Sequence, residues 1–458
     1  MATDLKPLPL SVRLGSFLCG YNTEAIPTSV RHEAKRAMIG YFATAFTGSR
    51  DHSYGVLHRL LASGSRPEAA LVGHREKVDA RDAAFLNAVA ANLHDFDDTH
   101  IPTIIHPTAP IAAALFALAA QHPINGKAFI GAFVLGAEVS CRLGIALTGQ
   151  HYQRGWHITS TCGVIGAAAA CAKGLALSEQ ETAAAMGCAA SQAQGLVECL
   201  GSSAKSLAVG NAARNGLFSA LLAQRGFDAP PTTLDGPFGF LAVFSDYPAP
   251  DAVMHGIGSS WALLSNTHKP YPCGVVVNPV IDCCLKAREN RAFTPDEIDH
   301  IVFQGHPLLG TRADRPNIHS AREAKVSLQH AAAVTLVEGP PGLAHFAEVQ
   351  VLRPELADLR ARIRFEPAEL PIDAARMCLV TKAGDTVRTE VAHAYGGLAN
   401  PMSDSDLEDK LKALAGGPPV MVDTLARTLW KLDDLPDVTQ IMSMAAIPAM
   451  GEILQPRL

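Results

Sequence analysis

The chain has 458 residues, of which 48% are hydrophobic and 18% are charged, and its formal net charge is −6. This length allows two or three domains with at least one large core, and the composition excludes an intrinsically disordered chain. No run of Lys and Arg exceeds two residues, which argues against binding to nucleic acid or to a membrane surface.

The ten cysteines are scattered and form no Cys-x-x-Cys pair, so we interpret them as buried reduced thiols. The N-terminal stretch MATDLKPLPLSVRL lacks the apolar core of a signal peptide. No uninterrupted apolar run approaches the ~20 residues that span a bilayer. We therefore expect a cytoplasmic protein with no membrane partner and no nucleic-acid partner.

Helical spacing dominates the first 265 residues, which are rich in Ala and Leu. Thr28 is a predicted N-cap, and Ser178 with Glu181 forms a capping-box pattern. The stretch 126–147 is apolar around most of its circumference, which is typical of a central buried helix. Helices are predicted at 28–46, 110–122, 126–147, 159–177, from the capping box to about 194, and at 205–227, where Gly226 ends the last one. Their many small residues indicate a tightly packed all-α domain.

The composition changes after about residue 267, where proline becomes frequent and β-rich segments begin. Strands are predicted at 300–308, 346–352, 361–367 and 376–394, with a hairpin turn at 383–385, and helices at 274–289 and 319–337. From residue 403 a helical pattern returns. The predicted fold is mainly α: a large all-helical domain (1–267), a smaller α+β domain (268–400), and C-terminal helices (401–458) that return to the large domain.

The first candidate for chemistry is HDFDDTHIPTIIHP (94–107), which holds three aspartates and three histidines. A metal site, an acid–base site and a polar loop before the next helix all fit this composition. Zinc and iron sites usually take His, Cys and carboxylate ligands at tight spacing. The chain has no His-x-x-x-His pattern and no Cys near this loop, so we predict no metal there.

The second candidate is GQHYQRGWHITSTCG (149–163), between two apolar helices. A helix is predicted to begin near residues 159–161, where free backbone N–H groups and the hydroxyls of Thr159 and Ser160 favour a bound carboxylate. The alternative is a plain connection between helices that happens to be rich in Trp and His.

Two isolated lysines complete the set of candidates. Lys205 stands in GSSAKSLAVGNAARNG (201–216), among small residues that leave room for a ligand, although a lone lysine is usually just solvated. Lys269 lies where the composition changes, and pockets are common at domain junctions. The chain contains none of the patterns GxGxxG, GxxxxGK[ST] and GxSxG, which argues against a Rossmann cofactor site, a P-loop and an α/β-hydrolase.

Five segments, in order and at similar spacing across nearly the whole chain, resemble the MmgE/PrpD family. They are DFDDTHIPTIIHP, GWHITSTCGVIGAAAA, AKSLAVGNAARNGLFSALLAQRGF, KPYPCG and the late NPMSDSDLEDK. The family includes 2-methylcitrate dehydratase, cis-aconitate decarboxylase and iminodisuccinate epimerase. The resemblance implies a large helical domain, a smaller α+β lid domain inserted before the C-terminal helices, a homodimer, and no metal or organic cofactor.

The resemblance also assigns acid–base residues. The family's aspartate and threonine match Asp95 and Thr99, and its two histidines match His106 and His157. Since histidine titrates near neutrality, His106 and His157 are the leading acid–base pair. Asp95 would orient a histidine or hold it charged, and Thr99 would donate a hydrogen bond to a substrate carboxylate.

The family's two lysines match Lys205 and Lys269, which would stabilise negative charge on carboxylate oxygens. A tyrosine of the epimerase branch matches Tyr152, a candidate second proton carrier. Where the decarboxylase branch has a tyrosine after Ser-x-Gln, this chain has His330, which we predict to contact the substrate.

The leading functional hypothesis is a cofactor-independent lyase, a dehydratase or a decarboxylase, acting on a small di- or tricarboxylate such as 2-methylcitrate or cis-aconitate. An epimerase of an amino- or imino-dicarboxylate is the first alternative, favoured by Tyr152. A non-catalytic carboxylate-binding protein is the second. All three predict a pocket that joins histidines, lysines and Asp95.

Overall fold

The computed structural model describes residues 7–289 and 291–446. The larger domain consists of helices around one core, with two strand pairs of two residues each, β1 with β2 and β3 with β4. In chain order its elements are α1 (Leu10–Gly20), α2 (Thr28–Gly48), α3 (His52–Ala62), β1 (Ala69–Ala70), β2 (Lys77–Val78), α4 (Ala80–Asn92), β3 (Thr99–His100), α5 (Thr108–Ala119), α6 (Gly126–Ala146), α7 (Gln150–Gln153), α8 (Ile158–Gly174), α9 (Glu179–Ala190), α10 (Ala204–Ala223), α11 (Phe240–Phe244), α12 (Pro250–Met254) and β4 (Asn266–Thr267).

Helix α6 runs through the centre of this domain. Within the described residues it is the one helix long and apolar enough to cross a membrane, yet 89% of its most apolar window is buried inside the protein. A Cβ added at Gly136 would lie 2.6 Å from the carbonyl oxygen of Gly166 on α8, so glycine is required for the two helices to approach this closely. The apolar circumference of α6 is therefore that of a core helix, as the sequence predicted.

The smaller domain packs helices on a four-stranded sheet with its own core. Its elements are α13 (Asn278–Arg288), β5 (Ile298–Gly305), α14 (Pro307–Ala313), α15 (Ala321–Ala324), α16 (Leu328–Glu338), α17 (Glu348–Val351), α18 (Pro354–Ala361), β6 (Ile363–Pro367), β7 (Ala375–Thr381) and β8 (Thr386–Val391). The strand order is β6-β5-β7-β8; β5 runs parallel to β6 and antiparallel to β7, and β7 and β8 form the predicted hairpin. Alternate residues of β7 are buried, which matches a sheet with one face on the core.

The structure corrects three local predictions. Residues 346–352 form helical turns rather than a strand, because packing of Phe346 and Val351 in the smaller core outweighs their β propensity. The predicted helix 319–337 is broken, because the Ser327 side chain accepts a hydrogen bond from the backbone N–H of His330 and starts a new helix there. Thr28 is the first helical residue and not the cap.

The C-terminal helices α19 (Asp404–Ala415), α20 (Pro419–Trp430) and α21 (Thr439–Ala445) return to the larger domain. Ser403 forms a capping box with Asp406, and Gly416 ends α19 with a φ of 65°. Leu407 and Leu411 join the larger core. The mainly-α fold with its smaller α+β part is confirmed. The domain limits 1–267, 268–400 and 401–458 stay a prediction, which the two separate cores support, and residues 447–458 of the last segment lie outside the described residues.

Candidate active site

The loop after α4 is tied to the start of α10 through one buried amide. The Asn92 side chain donates to Asp97 Oδ2 at 2.7 Å and accepts a hydrogen bond from Ser206 Oγ at 3.0 Å. Ser206 directly follows Lys205 on α10. The last turn of α4 therefore places Asp95 and Lys205 beside each other, although 110 residues separate them.

The pairing of β3 with β4 brings the second lysine to the same place. Thr99 lies opposite Thr267 in this antiparallel pair. Two residues beyond β4, Lys269 donates to the Asp95 carbonyl oxygen at 3.0 Å and to Asp95 Oδ1 at 3.2 Å. From α19, Lys410 Nζ then donates to the carbonyl oxygens of Phe96 at 2.7 Å and of Lys269 at 2.8 Å. The C-terminal segment thus fixes the two loops that carry Asp95 and Lys269.

Asp95 Oδ1 is the centre of a buried charge cluster. Lys205 Nζ lies 2.6 Å from it, Lys269 Nζ lies 3.2 Å from it, and His106 Nε2 lies 3.8 Å from it. Burial alone would raise the pKa of the Asp95 carboxyl, but the two ammonium groups outweigh burial and hold that pKa well below its usual value. Burial lowers the pKa of Lys205, but Asp95 and Asp97 together raise it above its usual value, so Lys205 keeps its charge.

The geometry around His106 defines its tautomer. His106 Nδ1 lies 2.7 Å from the carbonyl oxygen of Asp98, and a carbonyl can only accept, so Nδ1 carries the proton. The lone pair of Nε2 therefore faces Asp95 and the cavity. Burial lowers the pKa of His106 to about 4, with Asp97 opposing and both lysines adding to the effect. In the unliganded protein His106 is a neutral proton acceptor.

His157 is the N-cap residue of α8 and presents a second imidazole to the cavity. Its Nδ1 lies 3.1 Å from Ser160 Oγ, and that hydroxyl donates to the His157 carbonyl oxygen at 2.9 Å. Burial and then Lys205 hold the pKa of His157 well below its usual value. Thr159 Oγ1 accepts a hydrogen bond from the His106 backbone N–H at 3.1 Å. The two hydroxyls at the start of α8 thus each hold one histidine.

These groups line a cavity between the two domains. The larger domain supplies Asp95, Lys205 and both histidines, Lys269 lies at the junction of the two domains, and both domains supply an apolar wall. The lining residues are Asp95, Thr99, Ile104, His106, Tyr152, His157, Leu200, Lys205, Lys269, Gly274, Val275, Val276, Val277, Arg312, Ala313 and Val326. Ile104 stands out because it has a φ of 56°, a left-handed conformation that is rare for a β-branched residue. Half of these lining residues are apolar, and charges held beside apolar walls act more strongly on a bound anion than charges in bulk water do.

Helix α14 of the smaller domain contributes a further cation, Arg312, to the cavity. The Arg312 guanidinium lies over the Tyr152 ring, with Cζ 3.8 Å from the ring centroid. Burial raises the pKa of Tyr152, so the phenol keeps its proton at neutral pH. With both histidines neutral, the lining residues carry three cations and one carboxylate, a net charge of +2.

Seven of the ten predicted site residues line this cavity, namely Asp95, Thr99, His106, Tyr152, His157, Lys205 and Lys269. Thr159 and Ser160 do not line it and instead hold the two histidines. His330 lies in the core of the smaller domain, fully buried, with Nε2 2.9 Å from the His345 carbonyl oxygen. The structure therefore does not place His330 at the cavity, because its ring faces Phe346 inside that core.

Sequence reasoning missed Arg312 as an individual residue. The signal that identifies it is its contact with Tyr152, which only the structure shows.

The loop 94–107 also offers atoms that could ligate a metal. Ligand atoms of Asp95, Asp97 and His106 lie within 4.8 Å of one another. Two ammonium groups already contact Asp95 Oδ1 and would repel a divalent cation there. The donor set suits an anion bound by lysines better than a metal.

Comparison with known proteins agrees with this site. The profile of the MmgE/PrpD N-terminal domain matches residues 12–252, and that of the MmgE/PrpD C-terminal domain matches residues 271–430. Cis-aconitate decarboxylase of Homo sapiens is 30% identical over 390 residues, covering 81% of this chain and 80% of the relative. The Mus musculus protein of that name is 28% identical over 94% of this chain and 92% of its own. The Aspergillus terreus (strain NIH 2624 / FGSC A1156) protein of that name is 26% identical over 94% of this chain and 95% of its own. This chain belongs to the MmgE/PrpD family.

Proposed function

We propose that the protein is a cofactor-independent carboxy-lyase that acts on cis-aconitate or a closely related small tricarboxylate. The observation that carries this proposal is the cavity lining, which combines a net charge of +2 with two neutral imidazoles. The relatives named cis-aconitate decarboxylase support the same reaction class. A homodimer and a cytoplasmic location stay predictions from the sequence, as does the absence of nucleic-acid and membrane partners.

The chemistry requires stabilisation of a delocalised anion. Loss of CO₂ from the saturated end of cis-aconitate breaks one carbon–carbon bond, and the electron pair of that bond forms a new double bond while the pair of the former double bond moves to the carbon beside the other terminal carboxylate. The new negative charge spreads onto the oxygens of a remaining carboxylate, and one proton then bonds to the carbon next to that carboxylate. Lys205 and Lys269 lie where they would stabilise these oxygens, and one such donor contributes about 3 kcal/mol.

The proton can reach carbon from an imidazole that the substrate itself has charged. His106 is neutral in the unliganded cavity because its pKa is about 4. A bound trianion raises that pKa by Coulomb attraction, so the histidine takes up a proton as the substrate enters. Tyr152 keeps its proton at neutral pH and is the second candidate donor. Asp95 forms ion pairs with both lysines and raises the pKa of Lys205.

The test is turnover of cis-aconitate, citrate and 2-methylcitrate followed by NMR. We expect CO₂ release and an unsaturated dicarboxylate from cis-aconitate, and no turnover in His106→Gln. His52→Gln, on the exposed start of α3, is the matched control and should keep full activity. An inactive wild-type protein with all three compounds would overturn the proposal.

The epimerase alternative rests on the position of Tyr152, which gives the cavity a proton carrier besides the histidines. It predicts exchange of a substrate α-hydrogen for solvent deuterium without loss of CO₂. Deuterium incorporation with no bond cleavage would favour the epimerase, and cleavage would favour the lyase.

A further inference from the structure

Arg312 is a cation at the cavity whose donors are not used by the protein. It lies near the end of α14, lines the cavity, and contacts the face of the Tyr152 ring. Within residues 7–289 and 291–446 its guanidinium makes no ion pair and no hydrogen bond. A guanidinium has five N–H donors, and partly buried ones normally find acceptors.

Other partly buried arginines of the chain show the contrast. Arg142 binds Glu138 and backbone carbonyls such as those of His255 and Ser260. Arg322 binds Asp51 and the Leu93 carbonyl oxygen. Because Arg312 lacks such acceptors, its donors stay available to a ligand in the cavity.

The cations of the cavity therefore fall into two groups. Lys205 and Lys269 share Asp95, which neutralises part of their charge. Arg312, on the smaller domain, forms no ion pair with Asp95 and lies over the Tyr152 ring. A ligand that engages the two lysines through two carboxylates would need a third carboxylate to bind Arg312 as well.

We propose that Arg312 binds one terminal carboxylate of the substrate and thereby sets a preference for tricarboxylates over dicarboxylates. This inference rests on the proposed function, because it assigns the substrate of the same cavity. The planar fork of an arginine matches a carboxylate with two parallel hydrogen bonds, which a lysine cannot reproduce. The contact also joins the two domains around the substrate, since Tyr152 belongs to the larger domain and Arg312 to the smaller one.

The test measures binding of two unreactive ligands by calorimetry, so it does not depend on turnover. Tricarballylate has three carboxylates, and methylsuccinate lacks one terminal carboxylate. We expect the wild-type protein to bind tricarballylate about 10- to 100-fold more tightly. Arg312→Gln should abolish this preference, and Arg312→Lys should restore only part of it. Arg154→Gln, which removes an exposed partner of Asp246, is the matched control and should keep the preference.

An unchanged preference in Arg312→Gln would overturn the assignment of Arg312. If Arg312→Gln fails to fold, as judged by thermal unfolding, Arg312→Lys provides the test. Full wild-type preference in Arg312→Lys would overturn the proposal that the guanidinium binds a carboxylate through two parallel hydrogen bonds. The proposed function has a separate readout. A wild-type protein that shows an Arg312-dependent preference but decarboxylates none of the tested acids refutes the lyase and leaves Arg312 assigned. Turnover of cis-aconitate with an unchanged preference in Arg312→Gln supports the lyase and refutes the assignment of Arg312.

Discussion

Replacement of Lys205 with Met removes one of the two ammonium groups on Asp95 and keeps a side chain of similar length. The net charge of the cavity lining falls from +2 to +1. At an effective dielectric constant of about 20, a unit charge about 4 Å from a forming anion contributes about 4 kcal/mol. Removal of one donor to an oxyanion costs about 2.7–4 kcal/mol in measured cases. We therefore expect kcat/KM for cis-aconitate to fall about 10²- to 10³-fold, measured as initial rates by NMR.

Lys173→Met is the matched control, because Lys173 Nζ also donates to protein oxygens, such as the Leu18 carbonyl at 2.7 Å, but does not line the cavity. Its kcat/KM should stay near that of the wild-type protein. Folding of both variants is checked by circular dichroism, since Asp95 keeps only Lys269 as a lysine partner in Lys205→Met. A folded Lys205→Met protein that loses less than about threefold in kcat/KM would refute the assignment of Lys205 to the forming anion.

Three further measurements test the surroundings of the site. Calorimetry should show the melting temperature falling as pH drops from about 6.5 to 4, because the unfolded chain binds protons that buried histidines with folded pKa values near 4 exclude. Each histidine contributes up to about 3 kcal/mol, and the raised pKa of Asp98, about 6, opposes this effect together with the raised pKa values of Asp82, Glu138 and Asp282. These histidines are His100, His106, His151 and His330; a melting temperature equal at pH 7 and pH 5 would contradict the argument. Lys410→Met should lower kcat/KM about tenfold by freeing the loops that carry Asp95 and Lys269, whereas Lys412→Met on the exposed face of α19 should not; equal rates in the two variants would exclude the positioning role. His330→Gln should lower the free energy of unfolding by about 1–3 kcal/mol and leave KM within about twofold, and a large rise in KM would return His330 to the substrate site.

The helices of the larger domain could be predicted because their signals are local. The capping box predicted at Ser178 lies within four residues of sequence and forms as expected. The hairpin of β7 and β8 is local in the same way. By contrast, the two-residue pairing of β3 with β4, which brings Lys269 to Asp95, is too short to leave a pattern in the sequence.

The candidate site was predictable in its residues and not in its geometry. Lys205 and Lys269 were candidates from their local sequence and the family resemblance supplied their role, whereas the stretch 94–107 by itself left three interpretations open. The tautomer of His106 depends on where the Asp98 carbonyl lies, which no residue pattern encodes. Arg312 could not be selected from its seven-residue helix without knowing that Tyr152, 160 residues earlier, lies under it. His330 was assigned to the site but lies in the core of the smaller domain. A histidine in an Ala-rich helix has the same sequence pattern whether it binds a ligand or a carbonyl oxygen inside the core.

The left-handed Ile104 has a consequence for laboratory evolution of this protein. A β-branched residue at a φ of 56° costs on the order of 1–3 kcal/mol, which Gly or Asn at the same position would largely recover. Selection for heat resistance alone should therefore enrich Gly or Asn at position 104. Either residue removes part of the apolar wall two positions before His106 and lets water reach the imidazole. Heat resistance and turnover will select opposite residues here, so a library at position 104 has to be screened for both properties at once.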